Sequence, residues 1–264
     1  MRSRFPVVVA LLGAMICVAG LPGKGVSLTR RQEPIPVAWW KADNDTRDEL
    51  GRANGTVHAG VRFGEGVHGS AFIFDGTPTG GISIPDVSPL HITGSMTMDV
   101  WVRVDAFPSP AKRAAMILFR GDRRDAYDPY YLSVLSSGKI RWAIDQSDTR
   151  RVAVDATAGG PVSGSSVPTN IGLEAVIKPN RWTHVTATLN DDTGEMRLYL
   201  NGVLAAHQTT PIRPLSELEP DQSPGIAIGN HSGLPHPRTD YAFVGGVDDL
   251  KIYNAVVLPE EAER

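Results

Sequence analysis

The residues able to do chemistry are mainly carboxylates and histidines, and their spacing excludes most of the chemistry they might support. Cleavage of a glycosidic bond takes two carboxylates flanking it, and on a strand they stand at alternate positions of one face. No Glu-x-Asp-x-Glu pattern of that kind occurs. The most acidic strand segment, Val247-Asp248-Asp249-Leu250, carries adjacent carboxylates, which a regular strand points to opposite faces. No Gly-x-Ser-x-Gly supplies a nucleophile elbow, and the sequence holds one cysteine, Cys17. Among 7 histidines only His231 and His236 lie close together; with Asp240 they have the makings of a metal site, but without a His-Glu-x-x-His helix or Cys partner the segment reads as a solvated loop. Asp43 to Asp48 imitates a calcium-binding helix-loop-helix loop. It fails because Arg47 takes a ligand position, the required glycine is absent, and Asn54 stands where a bidentate Glu belongs. Arg120-Gly121-Asp122 matches an adhesion tripeptide that its strand-end position explains.

The elements that would position these groups are strands. With 41% hydrophobic and 21% charged residues and a net charge of −3, the chain is globular and offers nothing to attract nucleic acid or an acidic membrane. Its 27 Gly and 20 Pro punctuate short apolar runs rather than forming a tract, which marks a turn-rich β protein. Residues 1–20 have a different character. Arg2 and Arg4 precede an apolar run from Phe5 to Gly20 with small residues at its end, the pattern of a secretory signal peptide cleaved after Ala19 or Gly20. The alternative, an uncleaved anchor, needs about 20 apolar residues, more than this run has. Ala14-Met15-Ile16 before Cys17 does not fit a lipoprotein signal, so the mature chain is expected to be cysteine-free, without stable membrane insertion, and secreted or held in the periplasm or cell envelope. Residues 21–36 read as a linker, 37–256 as one domain, and 257–264 as a C-terminal tail.

Period-two alternation recurs along the domain. Met98, Val100, Val102 and Val104 share one face of their segment while Thr97, Asp99 and Arg103 share the other. Thr183 to Leu189 and Met196 to Leu200 repeat the pattern around a loop, Asn190 to Glu195, with hairpin chemistry. Asn201-Gly202 is a two-residue hairpin turn, since both central positions need positive φ. Further strands are expected at Ala71–Phe74, Gly81–Ile84, Met116–Arg120, Tyr130–Leu135, Lys139–Asp145, Gly225–Gly229 and Val247–Tyr253. Many short strands and no helical period leave an all-β antiparallel sandwich or a barrel, and the sandwich is the commoner.

Several phrases stand in a telling order: Val37-Ala38-Trp39-Trp40-Lys41-Ala42-Asp43, Gly69 to Gly76, Ser95 to Val102, Asn180-Arg181-Trp182-Thr183-His184-Val185, Leu198 to Val203, and Gly245 to Asn254. Together they resemble the laminin-G-like domains of the concanavalin A-like jelly-roll superfamily, as found in secreted bacterial proteins. The resemblance implies a two-sheet jelly roll in which the last strand pairs with the first. Many relatives hold a structural calcium, and the resemblance places it at Asp75 and Asp248, with Asp48 and Asn54 as further ligands; capping of turns by these side chains is the competing role. Trp101 and Trp182 are expected to pack in the core or against a sheet. The insertion Ala156–Val176 and the arginine-rich loop at 120–127 exceed the simplest members, and loops at one end of a sandwich are where binding is built. Arg124, Tyr127 and Tyr130 are therefore expected ligand contacts, with Trp142 an exposed aromatic for stacking a sugar ring. The function implied is a non-catalytic extracytoplasmic module that binds carbohydrate or an extracellular protein. A glycoside hydrolase or lyase, or a purely structural envelope component, is the alternative.

Overall fold

The computed structural model describes residues 34–112, 114–124, 127–146, 151–155 (backbone only), 177–231 and 241–262. The expected signal peptide, nearly all of the linker, the Ala156–Val176 insertion, His236 and Asp240 lie outside them. Among the described residues two antiparallel sheets account for fifteen strands. The first strands in the chain are β1 (Ala38–Trp40), β2 (Thr56–Val57), β3 (Val61–Glu65), β4 (Ser70–Asp75) and β5 (Ile82–Pro85). They are followed by β6 (Met96–Val104), β7 (Ala115–Gly121), β8 (Tyr130–Val134), β9 (Ile140–Asp145) and β10 (Arg151–Asp155). The last are β11 (Trp182–Leu189), β12 (Glu195–Leu200), β13 (Val203–Thr209), β14 (Gly225–Ile228) and β15 (Val244–Tyr253).

The first sheet runs β13-β12-β11-β6-β15-β4-β3, with β1 also on β15; the second runs β10-β9-β8-β7-β14-β5-β2. Every strand expected from alternation is present. β2, β3 and β10 were not foreseen: β2 is two residues long and β3 is half wet, so neither carries a strong pattern. Asn201 and Gly202 adopt the positive φ that the turn between β12 and β13 demands. β1 does pair with β15, Trp39 opposite Lys251. It shares one edge of β15 with β4, which covers Val244–Val247 while β1 covers Leu250–Ile252.

Met96, Met98, Val100, Val102 and Val104 of β6 meet Tyr130, Leu132, Trp142 and Ile144 of the second sheet in one continuous apolar core. Their odd-numbered neighbours on β6 point outward. Trp101 and Trp182 stand on that outer face, Trp182 beneath the Arg103 guanidinium and over Gly246, so they pack against the sheet rather than in the core. The expected tail does not behave as one: Val257 and Ala262 are buried against Tyr253, and the Thr97 hydroxyl donates to the Ala255 carbonyl at 2.8 Å. A single turn of helix at Pro259–Ala262 completes this cover.

Candidate functional site

Two of the expected ligand contacts point the wrong way. Tyr130 and Trp142 are fully buried in the core, the Tyr130 hydroxyl donating to the Leu90 carbonyl at 3.0 Å. Burial pushes the Tyr130 phenol well above its ordinary pKa. Trp142 therefore cannot stack a sugar. Because side chains alternate, their neighbours Tyr131 and Arg141 face outward instead.

That outer face of the second sheet carries a row of rings. Phe119 of β7 lies 6.3 Å from Tyr131 of β8 and 3.8 Å from His231, which in turn lies 5.2 Å from Tyr241, with interplanar angles near 30° throughout. Met116 packs with Phe119 and Tyr241. His231, expected on a solvated loop, is 4% exposed inside this stack. Phe119, Met116 and Tyr241 are buried as well, while Tyr131 and Arg141 keep part of their surface at water. Ser133 of β8 lies opposite Arg141 on the same face. Beyond them β10 sets Asp155 opposite Arg141 and Arg151 opposite Asp145 in its ladder with β9. The chemistry on offer at the surface is the part-exposed Tyr131 ring, held from behind by the buried rings, with the part-exposed Arg141 on the same face. Such a surface takes the apolar face of a ring while hydrogen-bonding its edge.

Arg124 and Tyr127 sit on the loop joining β7 to β8, and there Arg124 is already engaged. Its guanidinium lies 3.9 Å over the Tyr127 ring, binds both oxygens of buried Asp122, and meets Glu219 at 2.7 Å. The Asp122 carboxylate holds Arg124 more firmly charged than usual. Arg120-Gly121-Asp122 has both ends buried, Arg120 in an ion pair with Asp86, which removes the adhesion tripeptide from solvent.

The four residues assigned to calcium do not assemble. Asp48 accepts the backbone N–H groups of Trp39 and Leu50 on one oxygen and of Arg52 and Ala53 on the other. Asn54 accepts the Asp48 N–H. Donors aimed at these oxygens occupy the lone pairs a cation would need, so both residues cap a loop. Asp75 is exposed at the end of β4, where the Thr77 hydroxyl and N–H keep its carboxyl below the usual range. It pairs with Val244, four residues along β15 from Asp248, a separation of about 13 Å. No group of three metal-ligating acidic, histidine or cysteine side chains exists among the described residues.

Asp248 and Asp249 also depart from expectation. The register of β15 against β6 slips between Asp248 and Lys251, and Asp249 takes a φ of 49°. This bulge brings both carboxylates to the outer face of the first sheet. Asp249 accepts from the Trp39 indole and pairs with Lys251 at 3.0 Å. Asp248 is fully buried; one oxygen accepts the N–H groups of Val67 and His68, and the other has no partner. Burial raises the Asp248 pKa, the two N–H donors opposing and the Asp249 charge reinforcing that shift. A folded-state pKa above the unfolded one means the native protein binds the extra proton, so this contribution is present at low pH and is lost as pH rises above about 4. Asp248→Asn is expected to raise the urea midpoint at pH 7 and to flatten its pH dependence above pH 4. Parallel pH profiles for the two proteins would contradict this.

A sequence profile of the concanavalin A-like lectin/glucanases superfamily matches residues 75–263. Domain 4 of AbnA, a GH43 extracellular arabinanase from Geobacillus stearothermophilus, solved in complex with arabinotriose, has the same fold at 18% identity with a TM-score of 0.59, over 88% of this chain and 98% of that one. The binding domain of Paraclostridial Mosquitocidal Protein 1 superposes with a TM-score of 0.60 at 16% identity, over 88% of this chain and 51% of its own. The ligand binding domain of botulinum neurotoxin serotype D, in complex with N-acetylneuraminic acid, gives 0.57 at 17% identity, over 87% and 49%. The chain thus spans about half the length of each toxin domain. No curated protein matches it. With two antiparallel sheets, a last strand closed on the first, and a profile match over most of its length, the chain belongs to the concanavalin A-like lectin/glucanase superfamily.

Proposed function

We propose that the domain is a non-catalytic, extracytoplasmic carbohydrate-binding module whose binding surface is the outer face of the second sheet around Tyr131 and Arg141. The observation that carries this reading is Tyr131 and Arg141, both part-exposed on one sheet face, with Tyr131 backed by the buried rings of Phe119, His231 and Tyr241. The arabinotriose complex of the AbnA domain supports carbohydrate as the ligand class. The basic, apolar and small-residue order of residues 1–20 supports export, and no helix among the described residues is long and apolar enough to cross a membrane.

Binding of a panel of neutral polysaccharides, followed by affinity electrophoresis and calorimetry, tests the proposal. Tyr131→Ala and Arg141→Ala are each expected to weaken the best ligand about tenfold or more, roughly the 1.4–2 kcal/mol of an aromatic or arginine hot spot, with the fold retained. A panel without a single ligand, or variants that bind as the parent does, would overturn it. Capture of an extracellular protein instead of any glycan is the competing outcome.

One observation favours a hydrolase: the bulge that sets Asp248 and Asp249 on one face. Their surroundings argue against it, since Asp248 is sealed from solvent and Asp249 is ion-paired with Lys251 and accepts from the Trp39 indole. Release of reducing ends from a polysaccharide by the parent and not by Asp248→Asn would reverse that judgement.

A further inference from the structure

At the end of the sandwich where β5 and β7 finish and β6, β8 and β14 begin, the segment between β5 and β6 crosses from one sheet to the other. There it forms one wall of an open pocket of about 470 Å³, whose lining includes none of the rings of the second sheet. This volume suits a small ligand. The polar lining is Arg52, Ser88, His91, Thr93, Ser95 and Asn254, and no carboxylate contributes to it. Val37, Pro89 and Ile92 supply apolar wall.

Three acidic groups behind the lining are engaged. Asp86 lies behind His91 at 3.0 Å and is bound by buried Arg120. Asp191 lies behind Gly94 and is bound by Arg213. Asp48, which anchors the loop carrying Arg52, accepts four backbone N–H groups. Arg52 itself has an exposed side chain with no ion pair among the described residues. The pocket therefore presents a guanidinium without an ion pair among the described residues, an imidazole, three hydroxyls and an amide, against walls apolar enough for the C–H face of a pyranose. A guanidinium with no carboxylate of its own is a partner for a planar or tetrahedral anion.

We propose that this pocket binds one sugar unit carrying an anionic group, a carboxylate or a sulfate, with Arg52 on the charge and Ser88, Thr93 and Asn254 on the ring hydroxyls. The proposal rests on the carbohydrate-binding reading but uses a different surface. Isothermal titration calorimetry of the full chain with a galacturonic acid trisaccharide, a sulfated galactose trisaccharide and the neutral galactose trisaccharide tests it. At least one charged trisaccharide is expected to bind tenfold or more tighter than the neutral one, and to weaken as salt rises from about 50 to 500 mM. Which of the two binds separates carboxylate from sulfate. Arg52→Ala, an exposed position whose backbone contacts survive the change, should cost tenfold or more of that affinity while leaving the melting temperature alone, and Asn254→Ala several-fold.

Equal affinity for charged and neutral trisaccharides, unchanged binding by Arg52→Ala, no binding of either charged probe, or loss of charged binding through Tyr131→Ala would each overturn the proposal. Neutral-glycan binding that depends on Tyr131 would survive any of these. Conversely, Arg52-dependent binding of a charged probe by a chain that ignores every neutral glycan would keep the pocket and sink the sheet-face reading.

Discussion

Asp86→Ala is expected to destabilise the fold by about 3–5 kcal/mol, because it strands a buried guanidinium. Arg120 has no exposed surface. Its Nε and Nη2 donate to the two oxygens of Asp86 at 2.9 and 3.2 Å, and its remaining donors reach the carbonyls of Leu215 and Ser216. The guanidinium also lies over the Tyr130 ring. Taking away the carboxylate leaves the charge and the two carbonyls but no counter-ion, in a place water does not reach. That is a large part of the 5–15 kcal/mol typical of a whole domain. The double change Asp86→Leu with Arg120→Met should recover most of the loss, since an apolar pair avoids the desolvation of both ions. Urea midpoints at constant slope measure both. A loss under about 1 kcal/mol for Asp86→Ala would show that water or a neighbour takes over the cation.

Asp48→Ala comes next, with an expected loss of about 3–4 kcal/mol. One carboxylate serves the N–H groups of Trp39, Leu50, Arg52 and Ala53, and the side chain is almost wholly buried. Buried donors left without an acceptor cost about 1–3 kcal/mol each, and the loop can turn some of the four to water. Asp48→Asn keeps one acceptor oxygen and should lose roughly half as much. The Trp40 indole donates to the Ala53 carbonyl at 2.8 Å, so a loosened loop also unfastens a core tryptophan. Near-UV dichroism of Asp48→Ala should therefore change along with its stability. An unaltered spectrum together with unaltered stability would contradict the cap.

The fold was legible because alternation and turn chemistry agreed along most of the chain. β6 shows why: its valines and methionines alternate with Thr97, Asp99 and Arg103, which leaves one register. The second sheet gave no such guide. β7 reads Ala-Met-Ile-Leu-Phe and is buried on both faces, so apolar residues occur at every position and the pattern is silent about which side is inward. The tyrosine pair 130 and 131 carries the same ambiguity. Tyr130 and Trp142 face the core while Tyr131 and Arg141, one residue away on each strand, face outward, a difference of one residue in register that decides where the ring row stands. Asp248 and Asp249 were misplaced for a different reason: a bulge is an agreement between two strands, and β15 alone does not announce it. Asp48 and Asn54, expected among calcium ligands, instead accept backbone N–H groups, donors that every residue has and no sequence displays. Arg52 left no signal either, because whether a charge has a partner among the described residues is decided by what approaches it in three dimensions.

β15 sits inside its sheet, with β6 on one side and β4 and β1 end to end on the other. A chain that is synthesised or threaded from its N-terminus delivers this strand last. Until then the first sheet exists as two unjoined pieces, β3-β4 and β6-β11-β12-β13, and β1 has nothing to pair with. Such long-range closure is slow, and the open strand edges beforehand favour pairing with other chains. Closure of the first sheet is thereby tied to the strand that comes last in chain order, so the sheet has no complete core until β15 is in place.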